Sequence, residues 1–192
     1  MASARAHAHE PDPGAARLVR RPILALSTSV PEHPNVSRVR AHAAALGLDL
    51  RILRFAASTR TAQDAAREIG TTVDRIVKSL VFVSGETTAV ALCSGSSRVD
   101  EAKLAAALGV PDVRRASAGE AKEATGYAIG GVPPFAHVRA CRVVCDRALL
   151  AYDEVWAAAG LPDAVFPIAP ADLVRASGAA IADIAGSSAA AA

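Results

Sequence analysis

Lys78 lies inside the apolar run Ile76-Val77-Lys78-Ser79-Leu80-Val81-Phe82-Val83, which stops at Ser84-Gly85. The run is short, β-branched and aromatic, and it predicts a strand. Side chains alternate faces along a strand. If the strand includes Ile76, Lys78 shares a face with Ile76, Leu80 and Phe82, and Val77, Ser79, Val81 and Val83 share the other. Both faces are apolar. A buried ammonium without a partner is costly or loses its proton. A carboxylate, backbone carbonyls or a ligand anion is therefore expected beside it. The competing reading puts Lys78 at the start of the strand, with its stem on apolar surface and its charge in water. The chain has three lysines, Lys78, Lys103 and Lys122, against eighteen arginines, so a lysine at this position is not compositional background.

The segment Gly130-Gly131-Val132-Pro133-Pro134 has the form GxxxP. Adjacent glycines let a ligand approach the backbone, and a bare backbone can present N–H groups to an anion or a carbonyl oxygen. The same pattern also makes a tight structural turn. Ser94-Gly95-Ser96-Ser97 could bind phosphate, but it lacks the lysine and spacing of a P-loop. His137 follows the glycine loop and could donate to a ligand, although an isolated histidine is more often structural. Asp64 and Glu68 read as a solvated helix face. There is no Gly-x-Ser-x-Gly elbow, and no nucleophile, base and orienter are spaced as a triad.

These groups need elements to hold them. A helix capped by Asn35 is expected to run to about residue 46, with Val36, Val39, Ala43 and Leu46 on one face and Gly47 at its end. A strand over 49–55 and a loop over 58–60 follow. Thr61 caps a helix over 62–69, closed by Gly70. The Lys78 strand turns at 84–86 into an antiparallel partner over 87–93. Asp100 opens a helix to Leu108, closed by Gly109. A short strand over 113–116, a helix over 118–125 and an irregular stretch over 126–135 come next. Strands are expected over 142–145, 154–158 and 164–168, with a turn over 146–150, and Pro170 begins a last helix. Helices and antiparallel hairpins interleave without a βαβ rhythm, which favours an α+β fold.

Composition bounds the rest. The 192 residues suit one domain, read as residues 34–186 with an extension over 1–33 and a frayed tail over 187–192. A formal charge of +2 is too small for long-range attraction to nucleic acid, so any RNA contact must be local. Arg98, Arg114, Arg115 and Arg139 are candidates for its rim. Cys93, Cys141 and Cys145 are odd in number and form no CxxC pair, which suits reduced thiols in the cytoplasm. The five histidines (His7, His9, His33, His42, His137) are not spaced with them as metal ligands. No apolar stretch is long enough to cross a membrane as a helix.

Taken together, several stretches resemble the YbaK/ProX aminoacyl-tRNA deacylase family, which includes the editing domain inserted in bacterial prolyl-tRNA synthetases. They are Thr61-Ala62-Gln63-Asp64-Ala65-Ala66 with Gly70, the Lys78 strand, Ser94-Gly95, and the helix from Val99-Asp100 to Leu108-Gly109. Thr125-Gly126-Tyr127, the GxxxP loop, Asp146, 169–173 and 182–184 complete the set. The resemblance covers about 35–184. It implies a single α+β domain with a strongly curved, partly barrel-like mixed sheet flanked by helices. The implied activity is hydrolysis of the ester joining a wrong amino acid to tRNA, with no metal or organic cofactor. Lys78 falls on the family's functional lysine and Gly130 and Gly131 on its loop. The resemblance places Phe55, Thr61, Ser79, Ser94, Gly126, Pro133, Pro134 and His137 around the substrate. Phe55 stands where some members have tyrosine, and Ala136 where many have glycine.

The expected function is trans-editing of a tRNA mischarged with Cys, Ala or a similar small amino acid, on tRNA-Pro among others. The expected partners are an aminoacylated tRNA 3′ end and a cognate synthetase, with neither membrane nor DNA. The alternative is a non-catalytic module on the same fold that docks a tRNA end or a synthetase.

Overall fold

The computed structural model describes residues 32–55 and 61–186. The extension up to residue 31, the loop expected over 58–60 and the tail over 187–192 lie outside them.

Among the described residues, five α-helices and eight strands interleave. Helix α1 (Pro34–Ala45) buries Val36, Val39 and Ala43. Its cap is His33, whose side chain accepts from the Asn35 amide, and not Asn35. The reason is Pro34, which lacks an N–H and suits the first helical position. Asn35 instead donates its side-chain amide to the Gly160 carbonyl at 3.1 Å. Leu46 is exposed and leaves the expected apolar face. Helices α2 (Ala62–Ile69), α3 (Glu101–Leu108) and α4 (Ala118–Thr125) are capped by Thr61, Asp100 and Ser117, each accepting from a backbone amide three residues on. Each ends at a glycine in the left-handed region, Gly70, Gly109 and Gly126, as such C-caps require. Helix α5 (Pro170–Ser177) ends the helical set.

Strand β2 (Val77–Ser84) pairs along its whole length with antiparallel β3 (Thr87–Ser94), in a register that sets Lys78 opposite Cys93. Strands β4 (Arg114–Arg115), β5 (Arg142–Asp146) and β8 (Ala180–Ala182) complete a five-stranded sheet in the order β4-β2-β3-β5-β8. Pairings β3–β5 and β5–β8 are parallel, so this sheet is mixed. A three-stranded antiparallel sheet orders β1 (Leu53–Arg54), β7 (Ala164–Ile168) and β6 (Val155–Ala158). The strand expected over 49–55 shortens to two residues because only Leu53 and Arg54 find partners on β7. The turn expected after β5 is a 3-10 helix, Arg147–Ala151.

The partly barrel-like sheet is not observed. Two open sheets replace it, and a parallel bridge between Ile76 and Trp156 joins their edges. One face of the larger sheet packs Phe82, Ala89, Ala91 and Val144 on Leu104 and Leu108 of α3. The other packs Val77, Val81, Val90, Leu92 and Val143 on α1, α5, Tyr127, Phe135 and Phe166. Helix α2 closes a third cluster over Ile76, Trp156 and Val165. The aliphatic core follows from a chain with only seven Phe, Tyr and Trp residues.

Candidate active site

β4 pairs with β2 only at Phe82 and Val83, so the first half of β2 has no β4 neighbour. It faces β6, the edge of the smaller sheet. A cavity of about 240 Å³ opens between these edges. Val77, Lys78, Ser79 and Leu80 form one wall, and Trp156, Ala157 and Ala158 the other. Thr61, Ala62 and Ala65 of α2 and its cap also line it, as do Ile129, Gly130, Val132 and Pro162. The lining is mostly aliphatic, with Lys78 as its charged group.

Lys78 is half-buried, and its Nζ donates to the Ser97 carbonyl at 2.5 Å. The backbone carbonyl that burial demanded is therefore present, and an ammonium has two further N–H donors. Opposite it, Cys93 is fully buried. Burial pushes its thiol up to about 11, against the pull of the Lys78 charge, and Asp146 adds to the rise. A thiol so held stays protonated at neutral pH and is no nucleophile. Cys145 is likewise pushed up to about 12, mainly by burial.

The predicted site residues divide into two groups. Lys78, Ser79, Thr61 and Gly130 line the cavity together. The Ser79 hydroxyl is turned into the protein, buried and without a hydrogen-bond partner. Gly130 has φ +89, and a methyl there would lie 3.9 Å from Pro162. The remaining residues stand outside the lining. Gly131 backs onto Leu161, where a methyl would come within 2.9 Å of the backbone, and its N–H already donates to the Ala128 carbonyl. Pro133 and Pro134 are buried behind the loop. His137 Nε2 lies 2.9 Å from the Pro133 carbonyl and so braces that loop. Burial pushes its pKa down; the Pro133 hydrogen bond opposes this and the His42 charge adds to it. Gly126 ends α4 beside Arg38 and Val138. Phe55 donates its amide to the Asp163 carbonyl and packs on the third cluster. Ser94 is buried and donates its hydroxyl to the Asp74 carbonyl.

Trp156, Pro162, Ile129 and the alanines of β6 are lining residues that sequence reasoning missed. Trp156 carried a usable signal as the sole tryptophan of the chain. The arginines expected at an RNA rim are partly engaged. Arg114 pairs with Glu120 at 2.6 Å and Arg139 with Glu123 at 2.8 Å, while Arg115 lies over the Phe82 ring. Arg98 is exposed.

The mixed α+β architecture is the one the sequence resemblance implied, without the barrel-like curvature it also implied. The sequence model described as "Aminoacyl-tRNA editing domain" matches residues 56–176, more than half of the chain, and the chain belongs to that family. A crystal structure of a candidate trans-editing enzyme for prolyl tRNA synthetase superposes with a TM-score of 0.76 at 41% identity, covering 81% of this chain and 99% of that one. YwhH, an uncharacterized protein of Bacillus subtilis (strain 168), is 29% identical over 140 residues, 72% of this chain and 88% of its own. The proline–tRNA ligase of Stenotrophomonas maltophilia (strain R551-3) is 35% identical over 99 residues, 50% of this chain but 18% of the ligase. The chain thus spans only a small part of its ligase relatives. Among the described residues, no helix is long and apolar enough to cross a membrane, and no three His, Cys, Asp or Glu side chains group as a metal site.

Proposed function

We propose that the chain is a trans-editing aminoacyl-tRNA deacylase. It hydrolyses the ester of a tRNA mischarged with a small amino acid such as Cys or Ala, with tRNA-Pro as the candidate carrier. The observation that carries this reading is the cavity: an apolar chamber with an ammonium in its wall and a bare, exposed glycine in its lining. An aliphatic chamber of this size suits a small side chain, and its open end admits the ribose and phosphate that follow.

The chemistry asks little of the protein. An aminoacyl ester is already reactive, so positioning water and stabilising the developing oxyanion supply much of the rate. Water adds to the ester carbonyl carbon, the bond to the ribose oxygen breaks, and a proton passes to that oxygen. Lys78 uses its remaining N–H donors to pair with the 3′-terminal phosphate or to polarise the ester. Gly130 offers unshielded backbone to the aminoacyl group. No side chain lining the cavity is a ready general base, which leaves a substrate hydroxyl to take the water's proton. The reaction so written uses no metal. The partners are an aminoacylated tRNA end and a prolyl-tRNA synthetase, and the enzyme would work in the cytoplasm.

The experiment is deacylation of tRNAs charged with Ala, Cys, Ser, Thr and Pro. Hydrolysis of one of the small mischarged amino acids, with cognate Pro-tRNA spared, is expected. Binding without turnover of any of them would favour the non-catalytic module.

A further inference from the structure

A lysine carries its charge on a flexible four-carbon stem, so a pocket that uses one must hold it in place. In this protein the hold comes from a turn outside the cavity. Lys78 Nζ donates to the Ser97 carbonyl. The turn that carries Ser97 is tied to the 3-10 helix Val73–Arg75, which runs directly into the Lys78 strand. Ser96 donates its hydroxyl to the Asp74 carboxylate, and Ser94 donates to the Asp74 carbonyl at 3.0 Å. The Gly95 amide donates to the Ile76 carbonyl at 2.7 Å. A Cβ at Gly95 would stand 2.4 Å from the Val73 carbonyl oxygen, so the turn lies flat against that helix. Asp74 and Ser96 are 22 residues apart in sequence, and neither lines the cavity.

We infer that Asp74 and Ser96 are positioning residues, which fix the Ser97 carbonyl and through it aim the Lys78 ammonium into the cavity. The inference rests on Lys78 serving the deacylation. A fixed carbonyl selects one rotamer of the lysine stem. Ser96 is exposed, and its hydroxyl also lies 3.0 Å from the Ser94 hydroxyl within the same turn.

Three lysines make the test direct, because 13C-lysine labelling of the full chain gives three Cε signals. In the wild type, the two Hε protons of Lys78 should be inequivalent, as for an immobilised stem, and those of exposed Lys122 degenerate. Ser96→Ala should collapse the Lys78 pair and lower kcat on a mischarged tRNA about tenfold, with KM within about twofold. Ser96→Thr, which keeps the hydroxyl, should restore both. A wild-type Lys78 with degenerate Hε protons overturns the inference without any variant. So does a Ser96→Ala protein with unchanged Lys78 signals, whatever its activity. If Lys78→Ala keeps full activity, the deacylation role of Lys78 falls; the NMR response to Ser96→Ala still decides whether the turn positions it.

Discussion

The Tyr127 hydroxyl donates to the Ala136 carbonyl at 2.8 Å and helps hold that alanine at φ +64, the one non-glycine residue in the left-handed region among the described residues. Tyr127 is fully buried, and burial holds its phenol above the ordinary range against the pull of Arg38, so it donates across the neutral range. An alanine held there is strained by about 1–2 kcal/mol. Ala136→Gly should stabilise the protein by up to about 1 kcal/mol, since relief of strain is partly offset by the greater freedom of glycine when unfolded. Urea denaturation checks it, and a loss of stability would show that the backbone there is relaxed.

The adjacent glycines Gly130, which lines the cavity, and Gly131, which backs onto Leu161, should respond differently to a methyl. Gly130→Ala meets only Pro162 at 3.9 Å, so backbone strain dominates and stability should fall by about 1 kcal/mol. Gly131→Ala meets the Leu161 backbone at 2.9 Å and must move it, so its melting temperature should fall further. Turnover should drop in Gly130→Ala beyond what its small stability loss explains. Thermal melts of the two variants side by side test the order. Equal melts would mean that the loop yields easily.

Trp156 joins the two sheets through its bridge with Ile76 and forms cavity wall. Its buried ring makes Trp156→Ala costly, by about 3–5 kcal/mol. As the sole tryptophan it also reports occupancy. Emission should shift when a non-hydrolysable aminoacyl-adenosine analogue binds, and saturable binding without any shift would place the ligand elsewhere.

His137 gives the stability a defined pH dependence. Its folded pKa lies below the unfolded value of about 6.5. Above that value the ring is neutral in both states and its contribution is complete. As pH falls toward the folded pKa, the unfolded chain takes up the proton first and stability declines. Urea midpoints at pH 7.5 and 5.5 should therefore separate more in the wild type than in His137→Gln. Equal separations would contradict the assignment.

The sequence made helices α2 and α3 legible because each ends in local chemistry: Thr61 and Asp100 accept from the third amide on, and Gly70 and Gly109 turn left-handed. The Lys78 strand was legible from its composition. Strand β8 was not, because Ala180–Ala182 has no pattern of its own and gains order from pairing with β5. The cavity was half legible. Thr61, Lys78, Ser79 and Gly130 carried motif signals, but the opposite wall comes from Trp156, Ala157 and Ala158, far along the chain and small or apolar in type. The split into two open sheets was hidden for the same reason, since it depends on where β4 stops covering β2.

The central claim is that the Lys78 ammonium serves the hydrolysis, and Lys78→Ala tests it most directly. Single-turnover deacylation should be compared with wild type on the mischarged tRNA that the wild type cleaves fastest. The variant should fold normally by circular dichroism and lose activity by a factor of about 10² or more, as for removal of one preorganised electrostatic group. A Lys78→Ala protein that folds normally and deacylates at the wild-type rate would contradict the account.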